Sequence, residues 1–167
     1  MSRLKLVIIF IINMLFDIAI LPRINIAGVT PYISIAIIVV LSMRAKSDKI
    51  TYYAIFMGLL LDIASSTTLG IRMLSFYLIS YYTYKLRSFD GNNFSYGFLA
   101  TIISVVLNEI YLYCIKILST GTFNISLLLD YVLKFLLLEV VISLILYTLF
   151  YLLVDRIVFK EKRKFFS

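Results

Sequence analysis

Six apolar runs separated by short polar turns occupy almost the whole chain, at residues 4–21, 32–43, 50–64, 69–84, 94–118 and 127–154. A helix rises about 1.5 Å per residue, so roughly 20 residues cross the ~30 Å hydrocarbon core of a bilayer. The pattern predicts an all-α polytopic integral membrane protein, with six transmembrane helices in one bundle. The second and third runs are only 12 and 15 residues long; they must borrow flanking residues or be shielded by neighbours. Pro22 closes the first run, Thr30 before Pro31 reads as an N-cap followed by a first-turn proline, and Gly91-Asn92-Asn93 parts the fourth run from the fifth. With short connections and no internal repeat, residues 1–167 read as a single domain.

Composition agrees. Of 167 residues 62% are hydrophobic and 15% charged, and the mean hydropathy is +1.02. That is more apolar material than one soluble core of this size could bury. The chain has no histidine, which excludes Ser-His-Asp and Cys-His nucleophilic sites, His-ligated zinc and His proton relays. The one cysteine, Cys114, allows no intrachain disulfide and is expected to be a buried helix residue.

The net charge of +7 does not form one basic face, so nucleic acid is not the expected partner. Alternating the loops places twelve of the 16 Lys and Arg on one side, Arg44, Lys49, Lys85 and Arg87 among them; Arg23, Arg72, Lys116 and Lys134 fall on the other. The positive-inside rule then puts both termini in the cytoplasm. Asp17 interrupts the first run and no small-residue cleavage site precedes Pro22, so that run reads as a permanent helix and not a signal peptide. Residues 119–131 are expected along the outer interface. The tail from Arg156 to Lys164, flanked by Phe159, Phe165 and Phe166, is suited to anionic lipid.

Each span carries a polar or small-residue stripe at helical spacing: Asn13 and Asp17; Ala54, Gly58 and Asp62; Gly97, Thr101, Ser104 and Asn108; Glu139, Ser143, Tyr147 and Tyr151. These faces should turn inward, where polar groups find partners and small residues let backbones approach. An unpaired charge at membrane depth costs at least about 2.5 kcal/mol, so the acids must be accommodated. Asp62 ends the third helix and Arg72 begins the fourth; the helix dipole disfavours both, and an ion pair across the turn would offset this. Glu109 reads as protonated, or as hydrogen-bonded to Asn13 or a Tyr hydroxyl. Asp17, Asp62, Glu109 and Glu139 could supply a proton relay, though nothing in their spacing requires one.

The stretch 57–81, MGLLLDIASSTTLGIRMLSFYLISY, resembles the third and fourth helices of the rod shape-determining MreD family. That family's pattern is Gly-x-x-x-Asp, a short Ser/Thr-rich turn, then Leu-Gly and an Arg. Here those positions are Gly58, Asp62, Ser65, Ser66, Thr67, Thr68, Leu69, Gly70 and Arg72. The length, Pro31 opening the second helix and the basic tail are similar to the family layout, whereas the lack of tryptophan is a departure. In the last two helices the likeness is confined to hydrophobicity and the polar pair Asn108 and Glu109.

The resemblance implies a non-enzymatic, cofactor-free subunit of the bacterial cell-elongation machinery in the cytoplasmic membrane. It would bind the single-span protein MreC and, with it, connect MreB filaments to the peptidoglycan synthases. On this reading Gly58, Asp62, Gly70, Arg72, Asn108 and Glu109 are the structural or partner-binding residues, with Ala54 and Gly58 facing the partner helix. The family's architecture is also similar to the substrate-binding component of ECF-type transporters, so a solute-binding module is the alternative. An intramembrane hydrolase would need two converging acids, and Asp62 and Glu109 are expected at different depths.

Overall fold

In hydrocarbon a chain must satisfy its own amides, which a helix does within one segment. Every regular element among the described residues is helical. The computed structural model describes residues 3–23, 32–44, 49–65, 69–90, 94–121 and 136–154. The Thr30-Pro31 cap, the turn residues Ser66 to Thr68, the Gly91-Asn92-Asn93 break, most of the 119–131 stretch, residues 127–135 of the sixth run and the basic tail lie outside them.

The elements are α1 (Arg3–Leu15), α2 (Ile33–Arg44), α3 (Lys49–Ala64), α4 (Ile71–Asp90), α5 (Phe94–Thr120) and α6 (Leu137–Val154). After Leu15, α1 widens into a π-helical turn, Phe16–Ile20, and tightens through Leu21–Arg23, where Pro22 stops it. The fourth run continues as helix to Asp90, beyond the apolar limit at Tyr84. Gly121, with φ of 65°, closes α5 by donating its N–H to the carbonyl of Ile117 at 2.8 Å.

The distribution of polarity is inverted relative to a water-soluble protein. Asn13, Asp17, Asp62, Asn108, Glu109 and Glu139 are all buried, while Leu4, Ile8, Ile11 and Leu15 of α1 and Val141, Ile145, Leu149 and Leu152 of α6 are exposed. The second set recurs every three or four residues, an outward apolar stripe suited to lipid. All four polar stripes turn inward, with only Tyr151 half-exposed. Both α5 and α6 are long and apolar enough to cross a membrane.

The short second run has a physical explanation. Every residue from Ile33 to Met43 is buried, because α2 is packed by all five other helices. About 18 Å long at 1.5 Å per residue, it is shielded by neighbours and does not meet hydrocarbon at its ends. The most extensive interface is the α3–α4 hairpin, whereas α4 and α5 meet only sparsely. Cys114 corrects one expectation: it is exposed, on the side of α5 that borders the seam with α4. In a lipid-facing helix an apolar sequence neighbourhood says nothing about burial.

Candidate functional site

The helix ends collect into two layers. At one, the polar end, stand the ends of α1 and α3 and the starts of α2, α4 and α6. At the other, Arg44 of α2 lies 4.1 Å from the centre of the Tyr151 ring, beside Phe94 and Tyr147. There Gly97 lies under Tyr147, whose hydroxyl leaves no room for a Cβ at that position.

The acid and base of the α3–α4 turn, Asp62 and Arg72, do not form the expected side-chain ion pair. Each instead closes the opposite helix. Asp62 is fully buried and its carboxylate accepts from the backbone N–H of Gly70 at 2.9 Å and of Arg72 at 3.1 Å, at the start of α4. The Arg72 guanidinium reaches back to donate to the Leu61 carbonyl at 3.1 Å, near the end of α3, and to the Ser65 hydroxyl. The anion thus meets the positive end of one dipole and the cation the negative end of the other, each cancelling the penalty it would carry on its own helix. Arg72 also donates to the Tyr32 hydroxyl at 2.7 Å, with its guanidinium carbon 5.0 Å from that ring's centre, and so ties the hairpin to α2.

Two glycines make this closure possible. Gly70 has φ of 99°, a conformation that side chains rarely adopt, and its amide is thereby aimed at Asp62. Gly58 lies against the backbone of α4: a Cβ there would stand 2.6 Å from Met73 Cα. The expectation that Gly58 faces a partner helix is therefore corrected, since α4 of the same chain already lies against it, and Ala54 is likewise buried within the bundle.

Asp17 acts in a parallel way that sequence reasoning missed. Its carboxylate accepts from the N–H groups of Ile33 at 2.9 Å and Ser34 at 3.1 Å, and from the Ser34 hydroxyl, closing the start of α2. The capping partner is 16 residues away in sequence, so no local cap pattern could have found it. One turn earlier, Asn13 donates to Ser34 Oγ at 3.1 Å and to the Tyr53 hydroxyl at 2.8 Å, joining α1, α2 and α3. Asn13 is thus not the partner of Glu109.

Deeper in the bundle, Ser75 of α4 donates to Asn108 Oδ1 at 2.7 Å, and Asn108 Nδ2 donates to Glu109 Oε1 at 3.3 Å. Ser75 is three residues from Arg72 on α4, so the expected difference in depth between Asp62 and Glu109 is corrected to about one turn. Their carboxyls nevertheless go to different partners, and the two acids do not converge. Among the described residues no group of three or more His, Cys, Asp or Glu is arranged to hold a metal ion.

A family model for rod shape-determining protein MreD matches residues 2–157. The chain belongs to the MreD family. The match extends the likeness noted at 57–81 into the last two helices, and makes this a rod shape-determining membrane protein. No curated protein and no solved structure matches the chain. Set within the MreD family, the glycine, aspartate and arginine of the quoted pattern are the three groups that pack and close the α3–α4 hairpin.

Proposed function

We propose that this chain is a non-enzymatic membrane subunit of the bacterial rod complex. It spans the cytoplasmic membrane six times with both termini inside and binds an MreC-like single-span protein, through which MreB filaments are coupled to peptidoglycan synthesis. The observation that carries the reading is the family match over residues 2–157. The placement of charge is in keeping with the orientation: Lys5, Arg44, Lys49, Lys85 and Arg87 stand at the aromatic end of the bundle, against Arg23, Arg72 and Lys116 at the polar end.

The sparse contact between α4 and α5 leaves a groove of about 360 Å³, with Ser75, Ala100 and Ser104 among its lining and Leu78, Ile103 and Leu107 at its exposed rims. Little hydrophobic force acts between helices in lipid, so small residues that permit close approach favour helix association. This groove is where we place the partner helix. A solute-binding module would instead need free polar groups converging on an open cavity, and Asp17, Asp62 and Arg72 are engaged in closing helices.

The test is site-specific photo-crosslinking in cells. A crosslinker at Leu78 or Leu107 should capture the single-span partner, and one at Ile145 or Leu149 on the outer face of α6 should not. Equal capture from both faces would overturn the groove assignment. Failure of any partner to co-purify, together with saturable binding of a small solute, would overturn the subunit reading in favour of the transporter-like one.

A further inference from the structure

We propose that the crevice between α1 and α6, toward the aromatic end of the bundle, is a binding site for an anionic phospholipid, which lays the upper part of one acyl chain between the two helices and sets its phosphate at Lys5 and Arg44. The crevice has a volume of about 170 Å³; Ile9 and Ile12 of α1 and Phe150 and Leu153 of α6 form its walls, with Val40 and Leu41 of α2 as its floor. Among the described residues α1 and α6 do not pack on one another, and each meets α2. The floor is buried, whereas Ile12 and Leu153 on the rims are about half exposed, so the crevice opens sideways to lipid.

The placement of charge selects the headgroup. On α1 Lys5, Ile9 and Ile12 follow one another at spacings of four and three and so share a face; on α2 Val40 and Leu41 precede Arg44 by four and three. Each cation thus stands on the stripe that lines the crevice, one turn nearer the aromatic end. At 1.5 Å per residue that is roughly 5 to 6 Å beyond the lining, a rise that suits the step from an acyl chain to the phosphate above it. Arg44 is positioned there by Tyr151, the residue after Phe150, with its guanidinium carbon 4.1 Å from the ring centre. A guanidinium laid over a ring presents its N–H groups at its edge, in the planar fork that matches phosphate oxygens.

The lining decides against other occupants. Every residue of the crevice is apolar, so a polar solute or water finds nothing there to hold it. A helix about 10 Å across is too wide for it, and the larger groove between α4 and α5 is where the partner helix is placed. A flexible hydrocarbon chain fills a narrow gap of this kind and gains dispersion contacts along its length. It would also complete the packing of α1, which meets α2 and α3 only along a short seam. That the lipid comes from the cytoplasmic leaflet rests on the orientation proposed above; the site itself does not.

The chain has no tryptophan, so one introduced at a time reports its own surroundings. Ile12→Trp and Leu153→Trp place a fluorophore on either rim, and Leu99→Trp places one on the exposed face of α5 near its start. The full chain is set in vesicles of phosphatidylcholine and phosphatidylglycerol, with bromine on the acyl chains of each lipid in turn. Quenching at both rims should report phosphatidylglycerol binding at least about fivefold tighter than phosphatidylcholine, with no preference at Leu99→Trp. Adding Lys5→Gln should lower the preference several-fold, and adding Arg44→Gln as well should abolish it. Equal quenching by the two lipids at the rims, the same preference at Leu99→Trp, or a preference that Lys5→Gln leaves unchanged overturns the proposal. A rim tryptophan could itself fill the crevice, and Arg44→Gln could fail to fold, so wild type and Lys5→Gln are also released intact from the mixed lipid and weighed. One phosphatidylglycerol should stay with the wild type and less with Lys5→Gln; equal retention of the two lipids by the wild type overturns the proposal.

Discussion

Four acids lie inside apolar helices of this protein, and they divide by what receives them. Asp17 and Asp62 sit near the end of one helix and close the start of the next, each accepting from backbone N–H groups that have no partner within their own helix. Glu109 and Glu139 are buried on α5 and α6, where Glu109 accepts from the Asn108 amide and one oxygen of Glu139 has no hydrogen-bond partner. The difference is in the partner each carboxyl reaches. An acid near a helix end can reach the amides of its neighbour, and a negative charge is accepted there without a cation. Glu109, in the middle of α5, meets side chains, and Glu139, although in the first turn of α6, closes no neighbouring helix. The α1–α2 and α3–α4 pairs are thus locked by one repeated device, which among the described residues is not used between α5 and α6.

The largest expected effect tests the lock itself. Gly58→Leu would drive a side chain into the α4 backbone, where even a Cβ would stand 2.6 Å from Met73 Cα. Overpacking of this kind cannot be relieved by a rotamer change, so folded protein should fail to accumulate, as measured by the detergent-soluble monodisperse fraction. Ser104→Leu, at the sparse α4–α5 seam, should accumulate and lose the partner. If Gly58→Leu folds normally and only partner recovery falls, α4 is not what covers that face.

Next come the caps. Asp62→Asn replaces an anion that accepts at both oxygens with a group that points an NH₂ at N–H donors, and should cost about 3 kcal/mol by chemical denaturation in detergent. Asp17→Asn should cost a similar amount, since the same device closes α2. Arg72→Gln should cost less, and the Asp62→Asn, Arg72→Gln double variant less than the sum, because both act on one hairpin. Strict additivity would show that the two helix ends are closed independently. Smaller again is Gly70→Ala: no atom lies within 4 Å of the new Cβ, so only the backbone at φ of 99° is strained, at about 1 to 2 kcal/mol.

How much of this could be read from the sequence follows from the range of each signal. The helices were legible because apolar runs have length, and the inward stripes because Asn13 and Asp17, or Gly97 to Asn108, keep helical phase. The central place of α2 was not, since a helix apolar on every side has no phase to read. Asp62 and Arg72 were rightly linked, but through the wrong atoms: residue types suggest side-chain pairing, whereas the geometry of two helix ends offers each charge a backbone partner. Gly58 announced close packing without naming its neighbour. Cys114 was misplaced because burial in a bundle and immersion in lipid look alike in sequence.

The smallest expected effect gives the sharpest test of the division between aspartates and glutamates. Glu139→Gln and Asp17→Asn are the same chemical change, a carboxyl oxygen replaced by an amide nitrogen at nearly constant volume. At Asp17 both oxygens are already accepting from amides of α2, so an NH₂ must face a donor and a buried bond is lost. At Glu139 one oxygen is buried without a hydrogen-bond partner, so an amide nitrogen placed there displaces no bond. Glu139→Gln should therefore shift unfolding at neutral pH by no more than about 0.5 kcal/mol, in the same denaturation assay in which Asp17→Asn is strongly destabilised. Equal costs at the two sites would mean that Glu139 is held by donors as the aspartates are, and the distinction between the two kinds of acid would fall.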